Sequence, residues 1–244
     1  MAIKGTLQKK HPLRLCARYM RRNTHHPEKS HHLWINDIED IRVRRAVRDI
    51  KLTISAHLET CFADYDITNI PEIDEAYYAP SPHKVTHADT SLTCPHYDTP
   101  FGGLYMQGAR FYRVVVACTK NKTVHTRFSG QMFSMNLGDF HALDYNNDLH
   151  SVEGEIPDGK HRILLKLHYA VIPTSENVEN IYALCSTHVV IQWTRWSMYF
   201  MRAGSSPQNL IECAYGPIID GLRSMHNWRM RLSTAMLVCA PTTV

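Results

Sequence analysis

The residues best suited to chemistry are His96-Tyr97-Asp98 and, well downstream, His150. On an extended strand, residues two apart point to the same side, so His96 and Asp98 offer an imidazole and a carboxylate to one point. His150, arriving on another strand, closes a triangular face and leaves the opposite positions of an octahedral metal open. That two-His, one-carboxylate set suits non-haem Fe(II). A second H-x-D, His87-Ala88-Asp89, competes for the same role. His96 and Asp98 are preferred because they directly precede a glycine-containing turn and the long strand from Phe111.

The elements that must position these groups are mainly β. Phe111–Cys118 reads as a strand, Lys120-Asn121-Lys122 as a turn, and Thr123–Phe128 as the returning strand of a hairpin. Gly138-Asp139 turns the chain into Phe140–Tyr145, and a polar loop, Asp144-Tyr-Asn-Asn-Asp-Leu-His150, follows. Pro157-Asp158-Gly159 is a turn that launches Arg162–Val171. There Arg162, Leu164, Lys166 and His168 share one face, and Ile163, Leu165, Leu167 and Tyr169 the other. The basic face is expected to line a pocket, where the planar fork of Arg162 would match a carboxylate. His125, His141 and His161 are read as hydrogen-bonded structural histidines, and Tyr105, Tyr112, Arg113 and Asn146 as either further pocket residues or ordinary strand packing. Short strands at regular spacing indicate an antiparallel sandwich or barrel.

Outside this core, Asn36 is expected to open a helix through a capping box with Glu39. Its apolar stripe, Ile38, Ile41, Ile50, Ile54 and Leu58, should pack on the outside of the sheet. Arg42, Arg44, Arg45, Arg48 and Lys51 lie mostly elsewhere, as a solvated face ion-paired to Glu39, Asp40 and Asp49; an anionic partner or membrane surface is the alternative. Thr60–Pro82 is acidic, carries three prolines and reads as a surface connection. The organisation expected is a basic N-terminal arm without periodicity (1–33), a helix plus jelly-roll core (34–175) and a helical extension packed on the core (176–244).

The run H-Y-D, a glycine turn, D-Y-N-N-D-L-H-S-V and R-I-L-L-K-L-H-Y resembles the 2-oxoglutarate- and Fe(II)-dependent dioxygenase superfamily, nearest its prolyl-hydroxylase and aspartyl/asparaginyl-hydroxylase-like branches. The resemblance covers about residues 85–172. It implies a double-stranded β-helix (jelly-roll) core with flanking helices, with His96, Asp98 and His150 as iron ligands. Arg162 would pair the far carboxylate of 2-oxoglutarate, with O₂ and an unidentified substrate completing the reaction. Arg162 lies twelve residues after His150, whereas the family's commonest offset is ten, the position of Lys160; Lys166 is a further alternative.

Composition narrows the remaining classes. At 44% hydrophobic and 20% charged, the chain can bury a substantial core. The first 32 residues hold eight basic side chains against Glu28 alone, so the net charge of +4 leaves the rest slightly acidic. Nucleic-acid binding by the core is therefore not expected. Seven scattered cysteines without a CxxC point to a reducing, intracellular and cytoplasmic setting, with organellar import through the basic N-terminus as the alternative. No run is long and apolar enough to span a membrane, although peripheral contact is left open.

Overall fold

A computed structural model describes residues 3–23, 30–81, 83–84, 110–128, 130–144 and 148–174. Two antiparallel sheets face each other. The larger contains β1 (Ile3–Thr6), β2 (His31–Trp34), β3 (Tyr65–Asn69), β4 (Glu75–Pro80), β6 (Arg110–Ala117), β9 (Asp139–Asp144) and β11 (His161–Pro173). Its order is β1-β9-β6-β11-β4-β2, with β3 pairing the far half of β11. The smaller sheet holds β5 (His83–Lys84), β7 (Asn121–Phe128), β8 (Gln131–Met135) and β10 (His150–Ile156), in the order β5-β10-β7-β8.

Among the described strands from β4 onward, successive ones alternate between the sheets, and only β7 and β8 follow one another within one. This is the strand order of a jelly roll, the double-stranded β-helix expected. The crossing also corrects one expectation. β6 and β7 are not a hairpin, since β6 pairs β11 and β9 while β7 pairs β10 and β8. The corner between them is turned by Asn121, whose side-chain oxygen accepts from the backbone N–H of Thr123 at 3.2 Å and of Val124 at 2.9 Å. Gly138 and Gly159 sit at positive φ (91° and 69°) in the turns foreseen there.

Two helices cover the outer face of the large sheet. α2 (Ile41–Cys61) buries Val43, Ala46, Val47, Ile50, Ile54 and Leu58 in one cluster with Val114, Val116, Ile163, Leu165 and Leu167. Its start differs from the reading above. Asp40 is the N-cap, accepting from the Arg42 N–H at 2.9 Å. Asn36 lies in a 3-10 turn and donates instead to the Pro71 carbonyl. Ile41 does not join the apolar stripe, because it stands about 180° around the helix from Ile50, and it is 51% exposed.

The basic arm is corrected more broadly. β1 extends the large sheet beside β9, and α1 (His11–Arg22) packs Leu13, Cys16, Ala17 and Met20 into the same outer cluster. Those four stand at i, i+3, i+4 and i+7, a helical period present in the sequence but hidden among arginines. The acidic stretch 60–82 is likewise no surface connection. It supplies β3 and β4, and every residue of β4 is buried beside β11. Its acidic residues Asp74 and Glu75 are buried with cationic partners, which is how carboxylates come to stand inside a sheet. The extension 176–244 lies outside the described residues.

Candidate active site between the two sheets

Alternation along the strands decides what enters the gap between the sheets. On β11 the even residues Arg162, Leu164, Lys166 and His168 face inward, with Glu75, Tyr77 and Ala79 of β4 and Arg113, Val115 and Ala117 of β6. Leu164, Tyr77, Ala79, Val115 and Ala117 pack there with Val124, Phe128, Met135, Val152 and Ile156. The basic face foreseen on this strand thus lines the interior, around an aliphatic centre.

His150 is the first residue of β10, buried, and paired with Phe128 of β7. Its approach is fixed by Asp148, which accepts the Asp144 N–H on its carboxylate at 2.7 Å and returns its own N–H to the Asp144 carbonyl at 3.0 Å. The Asp148 carbonyl lies 3.1 Å from His150 Nδ1. A carbonyl only accepts, so Nδ1 carries the proton and Nε2 is the unprotonated nitrogen, the one with the chemistry to ligate a metal.

Arg162 is the second residue of β11, opposite Ala79, and only 7% exposed. Its guanidinium lies 6.0 Å from the centre of the Tyr77 ring and makes no ion pair among the described residues. Burial pulls its pKa below the ordinary value, with Tyr77 opposing. Of its two rivals, Lys160 is exposed after the turn, and Lys166 is committed to Glu75 at 3.0 Å and lies 5.3 Å from the centre of the Tyr77 ring.

Residues that sequence reasoning missed fill the rest of the inner face. His32 Nδ1 meets Glu75 at 2.8 Å. Burial pushes the Glu75 carboxyl up, but Lys166 and His32 outweigh it and hold it well below its usual range. Asp74 accepts the His168 N–H at 2.6 Å and binds Lys51 of α2 at 2.6 Å. Arg113 Nε donates to His168 Nε2 at 3.1 Å, so the proton of that ring sits on Nδ1, 3.4 Å from Asp74. Burial above all, with Arg113 adding to it, lowers the His168 pKa. The signal for these residues was the period-two run Glu75-Ala-Tyr-Tyr-Ala79, read past because of the prolines around it.

Among the histidines taken as structural, His161 bonds the Tyr78 hydroxyl at 3.1 Å, as expected. His141 does not follow that reading. It stands against the stacked pair Phe128 and Phe133 (centroids 5.4 and 5.6 Å), and its buried Nε2 has no hydrogen-bond partner among the described residues. Burial drives its pKa down to about 3, with Arg162 and His150 adding repulsion. Arg113 faces inward as foreseen, but Tyr112 turns outward against Phe62. His87, Asp89, His96, Asp98, Tyr105 and Asn146 lie outside the described residues. Among the described residues, no three His, Cys, Asp or Glu side chains cluster as a metal site.

No protein-family profile matches the chain, and no curated protein matches it by sequence. Several solved structures are similar to it. One is the non-haem α-ketoglutarate-dependent epimerase SnoN from nogalamycin biosynthesis, 15% identical, covering 73% of this chain and 83% of that one at a TM-score of 0.47. The non-haem monooxygenase ThoJ is 11% identical, with coverage of 81% and 93% and a TM-score of 0.45. A Pseudomonas putida prolyl-4-hydroxylase is 12% identical, with coverage of 71% and 93% and a TM-score of 0.41. The fold of this chain, a double-stranded β-helix, stands on the strand order described above.

Proposed function

We propose that the protein is an Fe(II)- and 2-oxoglutarate-dependent dioxygenase, a hydroxylase in reaction type. The observation that carries this reading is Arg162, a buried guanidinium without an ionic partner among the described residues, facing the same inter-sheet interior as the buried His150, whose strand partner Phe128 packs there. A lone buried cation is costly unless an anion joins it, and a dicarboxylate with one end on the arginine supplies that anion. His150, with Nδ1 tied to Asp148, would hold iron through Nε2 together with the imidazole and carboxylate of an H-x-D pair. When bound, iron and 2-oxoglutarate supply the oxidising chemistry. The chain's own part is to orient the cosubstrate through Arg162, keep His150 in one tautomer and keep water out with the Phe128, Val152 and Leu164 packing.

Anaerobic titration with Fe(II) and then 2-oxoglutarate, followed by the visible charge-transfer absorbance, tests the reading. Wild-type protein develops the band and His150→Ala does not. Arg162→Leu keeps iron but loses about 2–5 kcal/mol of 2-oxoglutarate affinity, the usual cost of unpairing a buried charge. Lys160→Ala changes neither. His96→Ala loses iron while His87→Ala retains it, and the opposite result moves the site to the upstream pair. Wild-type protein that takes up no iron would sink the proposal.

A further inference from the structure

The outer surface of the helical layer is the second concentration of charge in the molecule. α1 contains no acidic residue, and its Arg14, Arg18 and Arg22 follow one another at intervals of four along an exposed line. On α2, Arg44, Arg45 and Arg48 are exposed. The bland explanation for such a face is mutual neutralisation with nearby carboxylates. It holds for Arg42, which pairs Asp40 at 2.9 Å. It fails for these six arginines, none of which forms an ion pair among the described residues, although Asp49 and Glu59 are exposed on the same helix.

A second observation separates this face from a merely soluble one. Ile41 and Leu52, 51% and 63% exposed, are two of three exposed large hydrophobics among the described residues. With Arg45 and Arg48 they stand at i, i+4, i+7 and i+11, a single line diametrically opposite the buried Val43–Val47–Ile50–Ile54 face. A line of aliphatic ends with guanidiniums between them matches the boundary of an anionic bilayer, where the cations meet lipid phosphates and carboxylates and the aliphatic tips enter the acyl edge. A nucleic-acid backbone would use the arginines and leave Ile41 and Leu52 in water. No helix among the described residues is long and apolar enough to cross a membrane, so the contact is with the surface.

We infer that the α1–α2 face docks this protein on an anionic membrane surface through Arg14, Arg18, Arg44, Arg45 and Arg48, with Ile41 and Leu52 as shallow apolar contacts. The inference is independent of the oxygenase reading.

Co-sedimentation of the full chain with phosphatidylcholine vesicles, with and without phosphatidylserine, tests it. Binding is expected only with phosphatidylserine and weakens steeply between low and high salt. Each surface arginine is worth about fivefold in partitioning, so Arg44→Gln/Arg45→Gln/Arg48→Gln lowers binding by about a hundredfold. Leu52→Ser lowers it by about tenfold, from lost apolar burial. Because all four side chains are exposed, these variants keep the wild-type unfolding midpoint, which is measured alongside. Absence of binding, equal binding to neutral vesicles, or a Leu52→Ser variant that binds normally while duplex DNA competes would each overturn the proposal; the last would make the face a general polyanion surface.

Discussion

On its outer face the large sheet sets Val114, Val116, Ile163, Leu165 and Leu167 against the aliphatic stripe of α2. One residue further along the same strands, its inner face carries Glu75, Arg113, Arg162, Lys166 and His168, all substantially buried. Pleating gives a strand two independent sides, and here one was used to attach helices and the other to gather charge. The difference lies in what satisfies the groups. Aliphatic side chains need only area, whereas each buried ion needs a partner of its own. Glu75 and Lys166 supply each other, and Asp74 answers Lys51 and His168, so those groups read as structure. Arg162 has no such answer among the described residues, which is why it points to a ligand.

Breaking an inner pair should give the largest effect. Glu75→Leu keeps the volume and removes the charge, leaving Lys166 and His32 facing a neutral side chain. A loss of about 3–5 kcal/mol in urea unfolding is expected, the cost of stranding a buried ion. Adding Lys166→Met should recover most of it, because an apolar pair of similar size replaces the ionic one. Failure of the double variant to recover would show that the network, not the pair, is the unit.

The outer face should respond to volume alone. Ile54 is fully buried against the sheet, and Ile54→Ala should cost about 2–5 kcal/mol through lost burial and a residual cavity. The same variant should take up Fe(II) and 2-oxoglutarate as wild type does under native conditions. A changed affinity would mean that the two faces are coupled through β11 rather than independent.

This contrast also explains what could be read from the sequence. β11 was legible on both sides, since Arg162–Val171 alternates cleanly and its turn is marked by Pro157-Asp158-Gly159. So was an antiparallel sandwich or barrel, because its strands are short, β-branched and regularly spaced, whereas the jelly roll was implied only by the resemblance to the dioxygenase superfamily. β4 was not, for an inward Glu75 and flanking prolines look like solvent-facing loop until the partners Lys166 and His32, distant in sequence, are brought alongside. α1 was missed because its apolar period is carried by Cys16, Ala17 and Met20, small or soft residues among arginines. The pairing of β6 with β11 rather than with β7 is a long-range choice that no local turn encodes.

The smallest effect expected is also the most specific to the inner face. His141 is buried with an unpartnered Nε2, and its pKa lies at about 3 against an unfolded value of 6.5. Between those values the unfolded chain binds the proton and the folded one does not, so this residue's contribution is intact above about pH 6.5 and is lost as the pH falls. The slope is about 1.4 kcal/mol per pH unit, which amounts to about 2 kcal/mol at pH 5. His141→Leu should therefore shrink the difference in unfolding free energy between pH 7 and pH 5 by about that amount. His32 and His168, also held below their ordinary pKa, keep a residual acid sensitivity in the variant. An unchanged pH profile would mean that the folded protein protonates His141 readily, and that the interior between Phe128, Arg162 and His150 admits more water than its packing implies.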